Sequence, residues 1–467
     1  MTEHGIITAS MKKNAVLMTL LFFWLGGCSL FRKSPPPYPE GPIFPMVKKA
    51  ETTFRGDVIE SVRQSGSILY FSARPDFVYS YDMEKRRILW QINTTEQLIS
   101  APYMGENALY VVGEAGTLFR LGLDGGEQWR KNFSFPITSG VCELKNQVVV
   151  GIESGEVKAL DVATAEPRWT FSSAGAVRSN ITDWKGNLLC GSEQGVLYII
   201  NSEGKAVRKY QVDGVIGANL KVDEDRVYFG TENRFYYALN LRKMKKKWVR
   251  RLGGPVRVPA AVEGKYLYLT CWDGVIYCIA KKRGSVEWWR SLPSRSMFSP
   301  VIASDRVVAT AHSPRLDGFI RKDGESTGYF VADSEIRANA VWKESEILVP
   351  LFDYDTRQGF LLHLVKEVTV KLTPALASPQ VVGTEISLSV SAVGFYMAKF
   401  RFYVVSVDKK SVLQEESTQN TYAWFPDKAG SYRLGVTVFD AREERTVEIP
   451  FVINPKVEKR TEKEEKK

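Results

Sequence analysis

Ala108-Leu-Tyr-Val-Val-Gly-Glu-Ala-Gly-Thr-Leu-Phe-Arg-Leu-Gly-Leu-Asp124 holds two apolar, β-prone runs broken at Gly116, and Trp129 follows five residues on. The same arrangement returns at Tyr266-Leu-Tyr-Leu-Thr-Cys-Trp-Asp-Gly-Val-Ile-Tyr-Cys-Ile279, with Trp288 behind it. Outward from these copies a period emerges. Trp90, Trp129, Trp169, Tyr210, Trp248 and Trp288 are spaced by 39, 40, 41, 38 and 40 residues. Gly116, Gly155, Gly195 and Gly274 mark the same turn, and Arg234 replaces glycine once. Glycine suits a tight two-residue hairpin turn because such turns need positive φ. Weaker copies run from Ile68 to Asp82, with a longer loop around Arg74-Pro75-Asp76, from Val307 to Asp323, turning near Gly318, and from Ile347 to Val365, turning near Gly359.

Eight hairpins thus fall between residues 50 and 366. Each unit reads as a short strand opened by small residues, the hairpin pair, and the Trp strand. Four strands per ~40 residues make one blade of a β-propeller. The expected fold is all-β, an eight-bladed propeller with seven blades as the alternative. The eighth hairpin has no Trp-type strand after it, and residues 50–56 could supply one and close the ring.

Composition fits. Of 467 residues, 44% are apolar and 25% charged, which excludes a disordered chain and a polytopic membrane protein. Five cysteines and three histidines are too scattered for a disulfide framework or a multi-histidine metal site. One apolar run approaches membrane length. Lys12 and Lys13 precede Ala15 to Leu25, too short for a ~20-residue span but suited to a signal peptide. Leu25-Gly26-Gly27-Cys28 resembles the bacterial lipobox, which implies acylation of Cys28 after removal of residues 1–27. Ser29, in place of aspartate, implies the outer membrane. Residues 28–49, with Pro35, Pro36, Pro37, Pro39, Pro42 and Pro45, read as an extended spacer.

Leu160-Asp-Val-Ala-Thr-Ala-Glu-Pro-Arg-Trp169 resembles the Leu-Asp-x-x-Thr-Gly-x-x-x-Trp repeat of quinoprotein-type, PQQ-like propellers, as do Lys158-Ala-Leu-Asp161 and Tyr237-Ala-Leu-Asn240. A lipoprotein carrying eight such units is similar to the BamB family of outer-membrane β-barrel assembly. The resemblance implies a non-catalytic scaffold facing the periplasm, with a β-barrel assembly protein as partner. From Glu367 the period is lost. Val368 to Leu372, Ile386 to Val390, Phe400 to Val404, Tyr432 to Val438 and Val447 to Ile453 alternate as strands, and 367–455 reads as an immunoglobulin-like or PKD-like sandwich. Residues 456–467 form a charged tail.

Catalytic chemistry is sparse. Quinoprotein dehydrogenases hold calcium and a quinone over the axis, often against adjacent cysteines, and no Cys-Cys pair occurs here. Cys142, Cys190, Cys271 and Cys278 read as small buried hydrophobes; the last two share a hairpin, where they are expected to lie diagonally. Gly324-Glu-Ser-Thr-Gly328 matches a hydrolase elbow by letter but aligns with a repeat turn. His312 and His363 fall in different units. No catalytic, cofactor or metal residue is assigned, and neither nucleic acid nor a small-molecule substrate is expected. The alternatives are a PQQ-dependent enzyme or a structural envelope spacer. One functional patch stands out. The turns between third and fourth strands carry Lys205, Arg208 and Lys209, then Arg242, Lys243, Lys245, Lys246 and Lys247, then Lys281, Lys282 and Arg283. On successive blades these would form a basic arc for an acidic partner or an anionic envelope polymer.

Overall fold

The computed structural model describes residues 46–456, apart from 304–305, 344–345, 367, 396–397, 408 and 441–443. Cys28, the signal and most of the proline-rich spacer, and the tail beyond Lys456 lie outside the described residues. Every regular element described is a strand.

Between Met46 and Lys366 the strands form eight antiparallel sheets, six of four strands and two of five. The third is representative: Cys142–Leu144, Gln147–Gly151, Glu156–Asp161 and Pro167–Ser172 pair in that order. The second strand, Gln-Val-Val-Val-Gly, is buried at every residue, whereas the fourth alternates exposed with half-buried. Unbroken apolar runs therefore fill the middle of each blade, where both faces meet a neighbouring sheet. Core clusters join successive blades, for example Val148 and Val150 with Ala108 and Tyr110. The circuit continues through Trp288 against Phe319 and ends where the eighth blade packs on the first through Leu348, Leu361, Phe71 and Tyr79. The fold is a β-propeller.

Closure uses both ends of the repeat region. Met46–Arg55 pairs antiparallel with Gln358–Lys366, so the strand expected from residues 50–56 exists but starts at Met46, inside the stretch assigned to the spacer. Its Phe54 packs edge-on against Phe71 at 5.0 Å and Tyr79 at 5.5 Å, in the first blade.

The turns differ from expectation. Gly116 sits at φ 90°, its N–H donating to the Gly113 carbonyl while Gly113 N–H bonds Thr117. That is a turn followed by one left-handed residue, not a two-residue loop, and a single positive φ suffices. Gly155, Gly195 and Gly274 repeat it, and Arg234 adopts φ 73° in the same place. The first hairpin has the shorter loop, since strands Ile68–Arg74 and Phe77–Asp82 leave only Pro75 and Asp76 between them. Gly318 and Gly359 lie within strands; those turns fall at 311–314 and 354–357.

One regularity was not legible in the repeat. In seven blades the pairing of third and fourth strands slips by one residue, in five of them at the residue before the signature tryptophan, as between Ala159 and Leu160. In the fourth blade the slip at Val207 puts Arg208, not the expected Tyr210, in the tryptophan position. Such bulges re-aim side chains. Here five indoles reach the next blade: Trp90 Nε1 donates to Leu123 O at 2.9 Å, Trp129 to Val162 O at 2.8 Å, Trp169 to Ser202 O at 2.9 Å, and Trp248 and Trp288 to Lys281 O and Arg321 O at 3.0 Å.

Thr369–Pro374, Ile386–Val393 and Thr421–Trp424 form a three-stranded sheet. A five-stranded sheet runs in the order Gln380–Val381, Glu444–Asn454, Gly430–Phe439, Lys399–Ser406, Lys409–Ser417, its first pair parallel. Both contribute to one core through Leu372, Leu388, Trp424, Phe402, Leu434 and Phe451. This second domain is a β-sandwich.

Candidate functional site

The short inner strands and the connections into them line the propeller axis. Two cavities of about 690 and 480 Å³ share Glu60, Arg63, Asn219, Arg257, Pro259 and Met297. Glu60 holds φ 56° and projects into this channel. Glu60 is open to the channel, and desolvation by the walls around it raises its carboxyl above the usual range, with Arg63 opposing that shift. Arg63 Nε donates to Pro102 O at 3.0 Å.

At the rim, arginines occupy one repeat position on alternate blades. Arg178 meets Glu153 through two bonds of 2.9 and 2.8 Å, Arg257 meets Glu232 at 3.0 and 2.7 Å, and Arg337 meets Asp57 at 3.0 and 3.0 Å. Each pair bridges neighbouring blades, and forked guanidinium–carboxylate contacts fix orientation as well as distance. Trp272 lies between Arg257 at 4.8 Å and Arg295 at 4.7 Å. Sequence reasoning missed this set, although the spacing of 178, 257 and 337 at two repeats was visible.

His312, in a turn, lies 4.9 Å from the Phe298 ring, and burial lowers its pKa with Arg337 and Arg295 adding to the effect. His363 is fully buried, 2.7 Å from the Tyr81 hydroxyl and 3.1 Å from Glu346, joining first and eighth blades. Cys142, Cys190, Cys271 and Cys278 are buried free thiols, and burial pushes each up to about 12. Cys271 pairs with Val275 and Cys278 with Tyr268, three positions apart. An odd offset puts them on opposite faces, not diagonally adjacent. Ser326 opens an outer strand, and its hydroxyl accepts from Gly328 N–H, so no nucleophile elbow forms. Among the described residues no three His, Cys, Asp or Glu side chains gather as a metal-ion site. The axial lining therefore does not fit the calcium and adjacent cysteines of a quinoprotein centre.

The basic arc is split by the structure. Lys205, Arg242, Lys243, Lys281, Lys282 and Arg283 are in turns or beside them, but Arg208, Lys209, Lys245, Lys246 and Lys247 lie in the outermost strands Ala206–Gln211 and Lys245–Arg251. The fourth strand simply begins earlier than the turn assignment allowed. Arg242 is tied to Asp225, which also takes Lys185 at 2.6 Å, and Lys281 is tied to Asp223. Arg208 donates to Arg242 O.

Over residues 48–183, 153–258 and 245–347 the chain matches the family described as outer membrane protein assembly factor BamB. The chain belongs to that family. A family member from Shewanella oneidensis, named outer membrane protein assembly factor BamB, is 22% identical over 292 residues, covering 58% of this chain and 71% of that one. The crystal structure of BamB from Moraxella catarrhalis superposes with a TM-score of 0.59 at 13% identity, covering 68% of this chain and 99% of that one. Quinohemoprotein alcohol dehydrogenase from Comamonas testosteroni gives 0.57 at 12% identity, covering 72% and 80%. These two likenesses are of fold.

Proposed function

We propose that this chain is a non-catalytic β-propeller lipoprotein, held by acylated Cys28 on the periplasmic face of the outer membrane, and that it is a protein-binding scaffold in outer-membrane protein assembly. The observation that carries this reading is the family match, which runs through the propeller from residue 48 to 347. The axial lining supports a scaffold over a quinoprotein-type enzyme, because its carboxylates among the described residues are Glu60 and Asp183 alone, while three arginines beside it are latched to carboxylates of neighbouring blades. The sandwich is an immunoglobulin-like accessory module. Two features support that: the parallel pairing of Gln380 with Ile453, and the Tyr432 hydroxyl donating to Lys428 O at 2.8 Å, as at the tyrosine corner of such sandwiches.

Crosslinking in the native envelope followed by affinity capture tests the proposal. A β-barrel assembly protein among the captured species is the expected result. Recovery of peptidoglycan alone would point to the spacer role, and an unrelated complex would end the assembly reading.

A further inference from the structure

The outer strands and their preceding turns are not alike around the ring. Across 201–211, 241–251 and 281–291, on the fourth to sixth blades, lysines and arginines dominate and Glu203 and Glu287 are the sole carboxylates. The equivalent 123–133, 162–172 and 321–331 carry as many acids as bases, and 83–93 carries Lys85, Arg86 and Arg87 against Glu84. Lysine on an edge strand blunts unwanted pairing. Every blade has such an edge, yet only on these three adjacent ones are most of the bases free of ion pairs among the described residues. On the first and eighth blades Lys48, Lys49, Lys85 and Arg86 are all paired with carboxylates, so edge protection does not account for the difference.

The three segments are continuous. Arg208 reaches Arg242 O, Trp248 reaches Lys281 O, and Arg250 Nε donates to Gly284 O at 2.8 Å. Lys209, Lys245, Lys246, Lys247, Arg251 and Lys282 are exposed, and among the described residues none of them forms an ion pair. Val207, at the bulge of the fourth blade, is 54% exposed in the middle of this charge, and Val286 on the sixth is 37% exposed. Unpaired cations around an isolated protruding apolar side chain suit a surface that is anionic outside and apolar just beneath.

We infer that this flank of the propeller rests on an anionic lipid surface, through phosphate headgroups met by the lysines and an interfacial contact by Val207. An acyl anchor fixes distance from a membrane but not orientation; a basic flank would set the disc edge-on. The inference does not depend on the assembly role.

The test uses the chain from residue 29 onward, so that neither an acyl group nor the apolar Ala15–Leu25 segment contributes, and sedimentation with vesicles of phosphatidylcholine alone or mixed with phosphatidylglycerol. Binding is expected only to the anionic vesicles and to fall steeply as salt rises. Lys245→Glu, Lys246→Glu and Lys247→Glu together should weaken it at least about tenfold. A control triple on the sandwich, Lys371→Glu, Lys409→Glu and Lys428→Glu, changes net charge equally and should alter binding less than about twofold if position matters more than net charge. Val207→Ser should lower binding several-fold at every salt concentration. Circular dichroism and melting establish that each variant is folded. Absence of binding to anionic vesicles at low salt, or equal loss in both triples, overturns the inference; salt-sensitive capture of an acidic protein without vesicle binding would reassign the flank to that partner.

Discussion

Ala165 holds φ 58° in the turn before the outer strand of the third blade, where Gly204, Gly284 and Gly324 hold φ 81°, 69° and 71° in later blades. A left-handed backbone costs a residue with a Cβ about 1–2 kcal/mol, part of which glycine gives back through the freer unfolded chain. Ala165→Gly should therefore raise unfolding free energy by about 0.5–1 kcal/mol in chemical denaturation. The reverse change at Gly204 meets a second obstacle, since its Cβ would lie 2.6 Å from the Trp169 ring. Gly204→Ala should destabilise by about 2–3 kcal/mol, and fluorescence should report a displaced indole. Asp317 is a different case. It is buried, its Oδ1 accepts from Arg315 at 2.9 and 2.7 Å, its Oδ2 has no hydrogen-bond partner, and burial pushes its carboxyl up to about 6. Between about pH 4 and 6 the folded state retains a proton that the unfolded chain has released, so this residue lowers stability as pH rises through that window and the effect levels off above it. Asp317→Asn should add about 1 kcal/mol at pH 7 and little at pH 4, read by urea melts at the two values.

Strand Met46–Arg55 illustrates what is decided at the level of the element. Thr53 opposes Phe360, and Phe54 fills a space among first-blade aromatics, so one strand both completes a sheet and seals the joint with the next. Phe54→Ala should cost about 3–4 kcal/mol, and hydrogen exchange should accelerate first in Gln358–Lys366. The blade, its period and the need for a closing strand were legible because burial on both faces demands long apolar runs and a tryptophan recurs at one position in five blades. The turn class was not, because glycine serves a two-residue loop and a bulged turn equally well. The bulge before Trp169 leaves no mark in residue type: Leu89, Gln128, Arg168, Val207, Lys247 and Glu287 occupy that position in different blades. The arginine latches were hidden for another reason. Arg178, Arg257 and Arg337 recur in every second blade, while their partners Glu153, Glu232 and Asp57 come from neighbouring blades, so the pairing exists only after the ring is formed.

For the whole molecule, among the described residues, the core of the sandwich is made of residues from its own strands and segments, and the propeller clusters draw none of theirs from beyond residue 366. Residues 368–456 expressed alone should fold, and the full chain should melt in two calorimetric transitions, one matching the fragment; a single cooperative transition would mean the two domains share stabilisation. The closing blade has a consequence in time. Phe54 and its opposite number Gly359 stand roughly three hundred residues apart in the chain, so the pairing cannot begin until nearly the whole repeat has emerged, and contacts of such separation form slowly. During that interval the first-made strand and the last-made hairpin each present a bare edge to whatever is nearby. A chain of this design is therefore most vulnerable just before its last repeat pairs with its first strand, when a passing chaperone or a second nascent copy competes with its own beginning for the last place in the circle.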